Sequence, residues 1–400
     1  MIAGITPRPV APGSRAFIAL IAAIMTLTAM SIDINLPAIP ATAHALGAGL
    51  TTTQLTVTLF FAGFAIGQLL WGMLSDRTGR KPAMLVGFVL YEITTLGCAL
   101  APDIATLLSL RVLEGFSAGA AAVLGRAVIR DLFEGPQMAR ILSLALAAFV
   151  TAPIIAPSIG AVILSLAGWR WIFGFLAVYG AVLMVLAALF LEESLKTRNP
   201  TALRPGKLVE AFAAVFLDPR SRPWATVTIL IFGTLTTYLT NASAVFMAGY
   251  GLGASAFGGA FAVIAACSSA GNLLNSRLVR RFRLPRVVRA ALAAACLCAI
   301  LALAVAATDF GGVEALIASL GLFFVAFGLV VANATTLALQ PHGAIAGSAA
   351  AALGFAQTVV PAGIASLVAA LYDGTARPML AAIILLVAAS LLVSARSSAR

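Results

Sequence analysis

Charge is what this sequence has least of. Acidic and basic residues make up 10% of its 400 residues, against 62% apolar, where soluble domains carry about 25% and roughly 45–50%. No soluble fold of this length hides so much apolar side chain behind so few charges. Histidine is nearly missing, with two residues, and the four cysteines, Cys98, Cys267, Cys296 and Cys298, all fall in apolar runs. They have no metal-ligand spacing with His44 or His342 and read as small apolar side chains. No G-x-x-x-x-G-K-[ST] motif occurs, so nothing points to an ATP-binding engine. No nucleophile–base constellation occurs either. The chain is therefore not expected to be an enzyme, and no cofactor or metal is expected.

What is present is a succession of apolar runs of about 20 residues, each long enough to cross a hydrocarbon core as a helix. They are continuously apolar and lack period-two alternation, which favours helices over a barrel. Twelve spans are predicted at 16–39, 52–74, 82–101, 104–127, 141–165, 169–191, 224–248, 256–276, 287–307, 313–338, 345–371 and 377–395. The run from Ala16 to Pro40 follows Arg8 and Arg15 and precedes Ala41-Thr42-Ala43, as a signal peptide would. It is longer than the usual signal core and contains Asp33, so it is read as a retained first span.

Basic residues orient these spans. With a cytoplasmic N-terminus, all but three of the 25 lysines and arginines fall on the cytoplasmic side; the three are Arg111, Arg170 and Arg377. Both termini are expected in the cytoplasm by the positive-inside rule. The net charge of +11 follows from that bias and gives no reason to expect nucleic acid as a partner.

The longest polar stretch runs from about Glu192 to Pro223 and divides the chain into residues 1–192, a linker at 193–223, and residues 224–400. Within it Leu208 to Phe216 is either a short amphipathic surface helix or plain linker. The segment Gly72-Met73-Leu74-Ser75-Asp76-Arg77-Thr78-Gly79-Arg80-Lys81 follows span two. After span eight, Arg277, Arg280 and Arg281 repeat Arg77, Arg80 and Lys81 at an offset of 200. Equal halves with matching loops suggest a duplicated architecture.

At these residues the chain resembles the major facilitator superfamily, and within it the drug–proton antiporters with twelve spans. Gly72–Lys81 is similar to the superfamily's G-x-L-a-D-r-x-G-R-[KR] loop. Arg111 with Gly115 resembles the R-x-x-x-G motif of proton-coupled members. Ala152-Pro153 through Ala156-Pro157 and Gly160 resembles the antiporter motif of span five, with part of its glycine pattern replaced. Ser31-Ile32-Asp33-Ile34-Asn35-Leu36-Pro37, Arg130-Asp131-Leu132-Phe133 and Gly168-Trp169-Arg170 point to the bicyclomycin/chloramphenicol resistance (Bcr/CflA) group. The resemblance implies an all-α integral membrane protein with two pseudo-symmetric six-helix bundles. It would sit as a multi-pass monomer in a bacterial inner membrane and export small drug-like molecules in exchange for protons. A proton-coupled importer of a small metabolite is the rival reading, and a non-transporting receptor a more distant one.

An ionisable side chain at mid-span costs about 2.5–3.5 kcal/mol on insertion scales, so a retained one points to function. Four qualify, Asp33, Glu92, Arg111 and Glu114, all in the first half. Helical rise puts Asp33 about 25 Å from the inner face and Arg111 about 10 Å from the outer one, so a paired or water-bridged Asp33–Arg111 unit is expected. Glu114 shares a helix face with Arg111 and stands where the family usually has glutamine, so it either supplies an extra carboxylate beside the arginine or neutralises it. Asp33, Arg111 and Glu114 are thus the proton-coupling candidates; Glu92 is expected to be peripheral.

The resemblance also implies a conformational latch made of Gly72, Asp76, Arg77, Gly79, Arg80, Lys81 and Asp131, docking on the N-terminal end of span eleven. Pro153, Pro157 and Gly160 would seal the two halves against leak. Since the second half has no charge at mid-depth, its contribution to a substrate cavity must be neutral: Tyr238, Asn241, Asn272, Asn333 and Gln357, with Phe60, Phe61, Phe64 and Met247 as apolar wall.

Overall fold

The computed structural model describes residues 9–199 and 205–396, and every regular element among them is a helix. Arg8, Arg204 and Arg400, assigned above to the cytoplasmic side, lie outside the described residues. Twelve helices are long and apolar enough to cross a membrane: Arg15–Ala45, Leu50–Thr78, Arg80–Leu100, Ile104–Leu132, Gly135–Ala167, Arg170–Phe190, Arg222–Gly249, Ala254–Leu278, Leu284–Thr308, Gly312–Gly343, Gly347–Ala370 and Arg377–Arg396. These are spans one to twelve. With an even number of crossings, Arg15 and Arg396 lie on one side, the terminal side; the other is the far side.

Each expected span coincides with one of these helices, and several run on beyond the apolar window. Span five is the largest case, at Gly135–Ala167 against the expected 141–165. In lipid the backbone must satisfy its own hydrogen bonds, so a helix continues until water or a cap takes over. The short gap between spans three and four is closed by such a cap. Asp103 Oδ1 accepts from Thr106 N at 2.8 Å, and those bonds hold its carboxyl below the usual range. Between spans five and six Gly168 turns the chain at φ +88°.

Span one is interrupted. Its first helix ends at Asp33, a 3-10 turn follows at Leu36–Ala38, and a second helix runs Ile39–Ala45. Pro37 and Pro40 supply no amide hydrogen, so the first helix cannot continue through them. Span seven ends in a wide π turn, Ala244–Gly249. The Ala244 carbonyl there accepts from the Tyr372 hydroxyl at 2.8 Å.

Spans one, four, seven and ten are the most buried, every third helix in the chain. Spans two and four lie backbone to backbone. A Cβ on Gly63 would land on the Val112 carbonyl oxygen, and one on Gly115 on that of Phe60. Gly67 and Gly119 continue the contact one turn on, so each helix presents the small-xxx-small face that lets membrane helices approach closely. Spans eight and ten repeat the arrangement through Gly271 against Val325 and Gly328 against Ser268. Mid-span apolar side chains such as Ile93 and Leu297, 62% and 70% exposed, face outward, where a membrane helix meets lipid.

The first six and last six spans meet along two seams, span two with span eleven and span five with span eight. On the far side Gln54 Nε2 donates to the Thr240 carbonyl across the halves at 3.1 Å, and a Cβ on Gly258 would sit 3.1 Å from Ser158 Cα. The linker contains a helix, Pro205–Leu217, so 208–216 is helical and not plain linker. Its Phe212 packs edge-on against Phe355 of span eleven, centroids 5.9 Å apart.

Candidate functional site

Between the halves lies a cavity of about 400 Å³, within the range of small-molecule sites. Its wall is aromatic: Phe61, Phe64, Phe149, Phe232, Phe261, Phe324 and Phe327 all contribute. Of the expected residues it gathers Asp33, Pro153, Tyr238, Asn272 and Gln357. Asp33 is the last residue of the first helix of span one, at the break the prolines impose. It is 4% exposed and is the only carboxylate in the lining. The Tyr238 ring stacks on Phe261, with centroids 5.6 Å apart, and meets Phe324 at 5.0 Å. Its hydroxyl and the Gln357 Oε1 are buried with no hydrogen-bond partner among the described residues. Unpaired polar atoms at a cavity wall are where a ligand finds its directional contacts.

Arg111 does not line this cavity, and it forms no ion pair with Asp33. The guanidinium pairs with Glu114, Nη1 to Oε2 at 2.6 Å, with the two side chains 1% and 0% exposed. Its Nε donates to the Thr56 carbonyl at 3.2 Å and its Nη2 to that of Ser31 at 3.3 Å. Phe60 lies against its face at 4.5 Å, so that ring is not part of the cavity wall. Glu114 also accepts from Thr95 Oγ1 at 3.2 Å and Cys98 Sγ at 3.6 Å. Arg111 borders only a void of about 10 Å³, with room for at most one water. The i, i+3 spacing of Arg111 and Glu114 makes this pairing local and strong, and Asp33 is left facing the cavity. Tyr91 bonds Ser31 Oγ at 2.7 Å rather than its neighbour Glu92. Glu92 lines no part of the cavity and packs beside Gly180 of span six.

On the terminal side the motif loop is organised by Arg80. Its Nη1 pairs with Asp76 Oδ1 at 2.6 Å and its Nε with Asp131 Oδ2 at 2.7 Å. Ser194 also donates to Asp131 Oδ2, at 3.3 Å. Gly79 adopts φ +111°, left of what side-chain-bearing residues tolerate. A Cβ there would collide with the Glu193 carboxylate, which accepts the backbone N–H of Arg80 at 2.9 Å and of Lys81 at 3.3 Å. Glu193 thus caps the free amides that open span three, a role the sequence reading missed. Lys81 Nζ donates to the Ala188 carbonyl, Arg77 is exposed, and Gly72 sits at ordinary contact distance from Val123. The Asp76 carboxylate therefore turns to Arg80 and not onto span eleven. Arg130 does approach the start of that span: its Nη1 would lie 3.3 Å from a Cβ on Gly347.

In span five, Pro153 faces the cavity, and Gly160 lies against the Ile34 carbonyl of span one. Pro157 precedes Ser158, the residue that meets Gly258 of span eight across the seam. Two cavity candidates are corrected. Asn333 is tied to Asn275, its Nδ2 donating to Asn275 Oδ1 at 2.6 Å. Asn241 Nδ2 donates to the Thr237 carbonyl of its own helix at 2.9 Å. Neither borders the cavity, because these short amides are used up in helix contacts. Met247 does not border it either, accepting from Ser243 Oγ at 3.5 Å.

Several polar lining residues were not expected from the sequence, among them Thr28, Gln68, Arg126, Ser268 and Thr358. Arg126 was assigned to the cytoplasmic rim because span four was ended at 127. The helix in fact runs to Leu132, which draws Arg126 inside.

A family model described as Major Facilitator Superfamily matches residues 21–368. The chain belongs to the major facilitator superfamily. Members of this superfamily are transporters, so the protein is a membrane transporter and not an enzyme. It is 30% identical over 362 residues to an "Uncharacterized MFS-type transporter YdgK" of Bacillus subtilis, covering 90% of each chain. It is 30% identical over 365 residues to a "Bicyclomycin resistance protein homolog" of Haemophilus influenzae, covering 91% of each. A "Multidrug resistance protein MdtL" of Shewanella oneidensis is 29% identical, covering 83% of each. These relatives bear out the Bcr/CflA resemblance within the superfamily. Among solved structures, a D-xylose-proton symporter matches 96% of the chain with a TM-score of 0.73 at 14% identity, a likeness of fold.

Proposed function

We propose that this major facilitator protein exports small, largely apolar drug-like molecules from the bacterial cytoplasm across the inner membrane in exchange for protons. The observation that carries the reading is Asp33, a lone carboxylate in an aromatic cavity between the halves. A carboxyl group in such surroundings takes up a proton readily and yields it when water or a cation arrives. Cargo and proton then compete for one group, which is what exchange requires. The names of the relatives, with bicyclomycin and multidrug resistance among them, support a drug-like cargo.

The positive-inside distribution places the terminal side in the cytoplasm. The seam from Gln54 to Thr240 then closes the periplasmic side in this conformation. Two units, residues 1–192 and 224–400 with 193–223 between them, rock about the cavity as a monomer. Arg111 and Glu114 serve coupling indirectly, fixing span four against spans one and two so that Asp33 meets the cavity. The Asp76–Arg80–Asp131 cluster is the latch, with Asp76 free to exchange Arg80 for span eleven when the terminal side closes. Pro153, Pro157 and Gly160 shape the span-five wall that seals against span eight.

The test is expression in a pump-deficient host, a drug panel, and the same panel with a protonophore. Resistance that collapses with the protonophore is expected. Resistance insensitive to it, or none to any drug, overturns the reading.

A further inference from the structure

The cavity holds two charges, Asp33 and Arg126, and neither has an ion-pair partner among the described residues. Among the described residues the Arg126 guanidinium makes one hydrogen bond, from Nε to the Ala122 carbonyl of its own helix at 3.0 Å, and the residue is solvent-exposed. Its other donors are free to face a ligand. The two charges are well apart. Gly125 packs on Met25, 2.7 Å from its Cγ to a Cβ built on the glycine. Met25 precedes Asp33 by eight residues in one helix, about 12 Å of rise. Arg126 therefore stands nearer the terminal side than Asp33 does. A basic residue that only anchored the helix would reach for lipid headgroups. Arg126 instead lines the cavity, together with apolar residues such as Leu146 and Phe149.

We propose that Arg126 is the second pole of the binding cavity and that the preferred cargo is dipolar. Such a molecule has an apolar body, a cationic amine for Asp33 at one end, and a carboxylate for Arg126 about 12 Å away. The assignment rests on the cavity being the cargo site. Tyr238 and Gln357 add neutral contacts at the Asp33 end, and the aromatic wall between the poles takes the apolar body. The guanidinium fork suits a carboxylate because it offers two parallel donors to two oxygens.

Equilibrium binding to the purified full-length protein in detergent tests this without any proton gradient. The probes are a para,para-linked aminomethyl-biphenylcarboxylic acid, its methyl ester and its N-acetyl derivative, which carry both charges, the amine alone and the carboxylate alone. The wild type is expected to bind the zwitterion about tenfold more tightly than the ester. Arg126→Gln should bring that ratio to about one, and Arg126→Lys should restore part of it. A merely structural arginine would shift the melting temperature of the variants and leave the ratio intact. Equal binding of zwitterion and ester by the wild type, a ratio preserved in R126Q, or no binding of any probe would overturn the proposal. Protonophore-sensitive drug resistance in cells reads the export function separately, so a pump that works without the zwitterion preference refutes the dipolar cavity alone.

Discussion

Arg111 Nη1 and Glu114 Oε2 lie 2.6 Å apart, one turn from each other in span four, with no more than 1% of either side chain exposed. The pair is sealed by the Thr56 and Ser31 carbonyls and the Phe60 ring. Removing one partner strands the other charge in a dry interior, a loss of about 3–5 kcal/mol. Glu114→Leu and Arg111→Leu should each lower the melting temperature in detergent sharply. The double variant should lose clearly less than the sum of the two. Single variants that melt like the wild type would show that the pair bears no structural burden.

Asp33 carries the exchange proposed above, and Asp33→Asn removes its titration while keeping its shape. Gradient-driven efflux should fall on the order of tenfold or more, with the protein still folded and inserted. Efflux measured in everted vesicles during a pH jump gives the rate. A D33N rate equal to wild type would remove Asp33 from the coupling step.

The glycine seam between spans two and four has no room for a methyl group. Gly115→Ala drives its Cβ into the Phe60 carbonyl, an overpacking that costs about 1–3 kcal/mol. Gly259→Ala, with nothing within 4 Å of the added atom, should stay within about 0.5 kcal/mol. Thermal melts of the two variants side by side report whether the close approach is real.

Ser158 and Gly258 meet where the halves touch, with 3.1 Å from the built Cβ to Ser158 Cα, inside the reach of a disulfide. In a background with Cys98, Cys267, Cys296 and Cys298 replaced, oxidised S158C/G258C should stop transport and reductant should restore it. Single-cysteine controls should transport in both conditions. Transport that persists in the cross-linked form would mean that this seam does not open during the cycle.

Much of the fold was legible because lipid imposes one simple demand: an apolar run of sufficient length becomes a helix. Twelve such runs gave twelve spans, and the 208–216 segment proved helical. Span ends were less legible, since apolarity marks the hydrocarbon core and not where the backbone stops coiling. That is why Arg126 was misplaced. Of the site, Asp33 was found by its cost in the membrane, and Tyr238, Asn272 and Gln357 by their polarity in a neutral half. Asn241 and Asn333 carry the same signal but spend it on Thr237 and Asn275. Arg111 was recognised with two possible partners, Asp33 at matching depth and Glu114 at i+3, and it is the local one that it pairs with. Gly63, Gly67, Gly115 and Gly119 form two G-x-x-x-G spacings, a signal of the seam between spans two and four that the sequence reading passed over.

At the far-side seam, Gln54 Oε1 and Thr240 Oγ1 are buried with no hydrogen-bond partner among the described residues, beside the bond that Gln54 gives to the Thr240 carbonyl. Each such atom forfeits roughly 1–3 kcal/mol that water would return to it. Parting the halves there sacrifices apolar contact but hydrates these atoms, and the two effects oppose each other. The closure is shallow by construction, a joint whose undoing is partly repaid by the water that enters it.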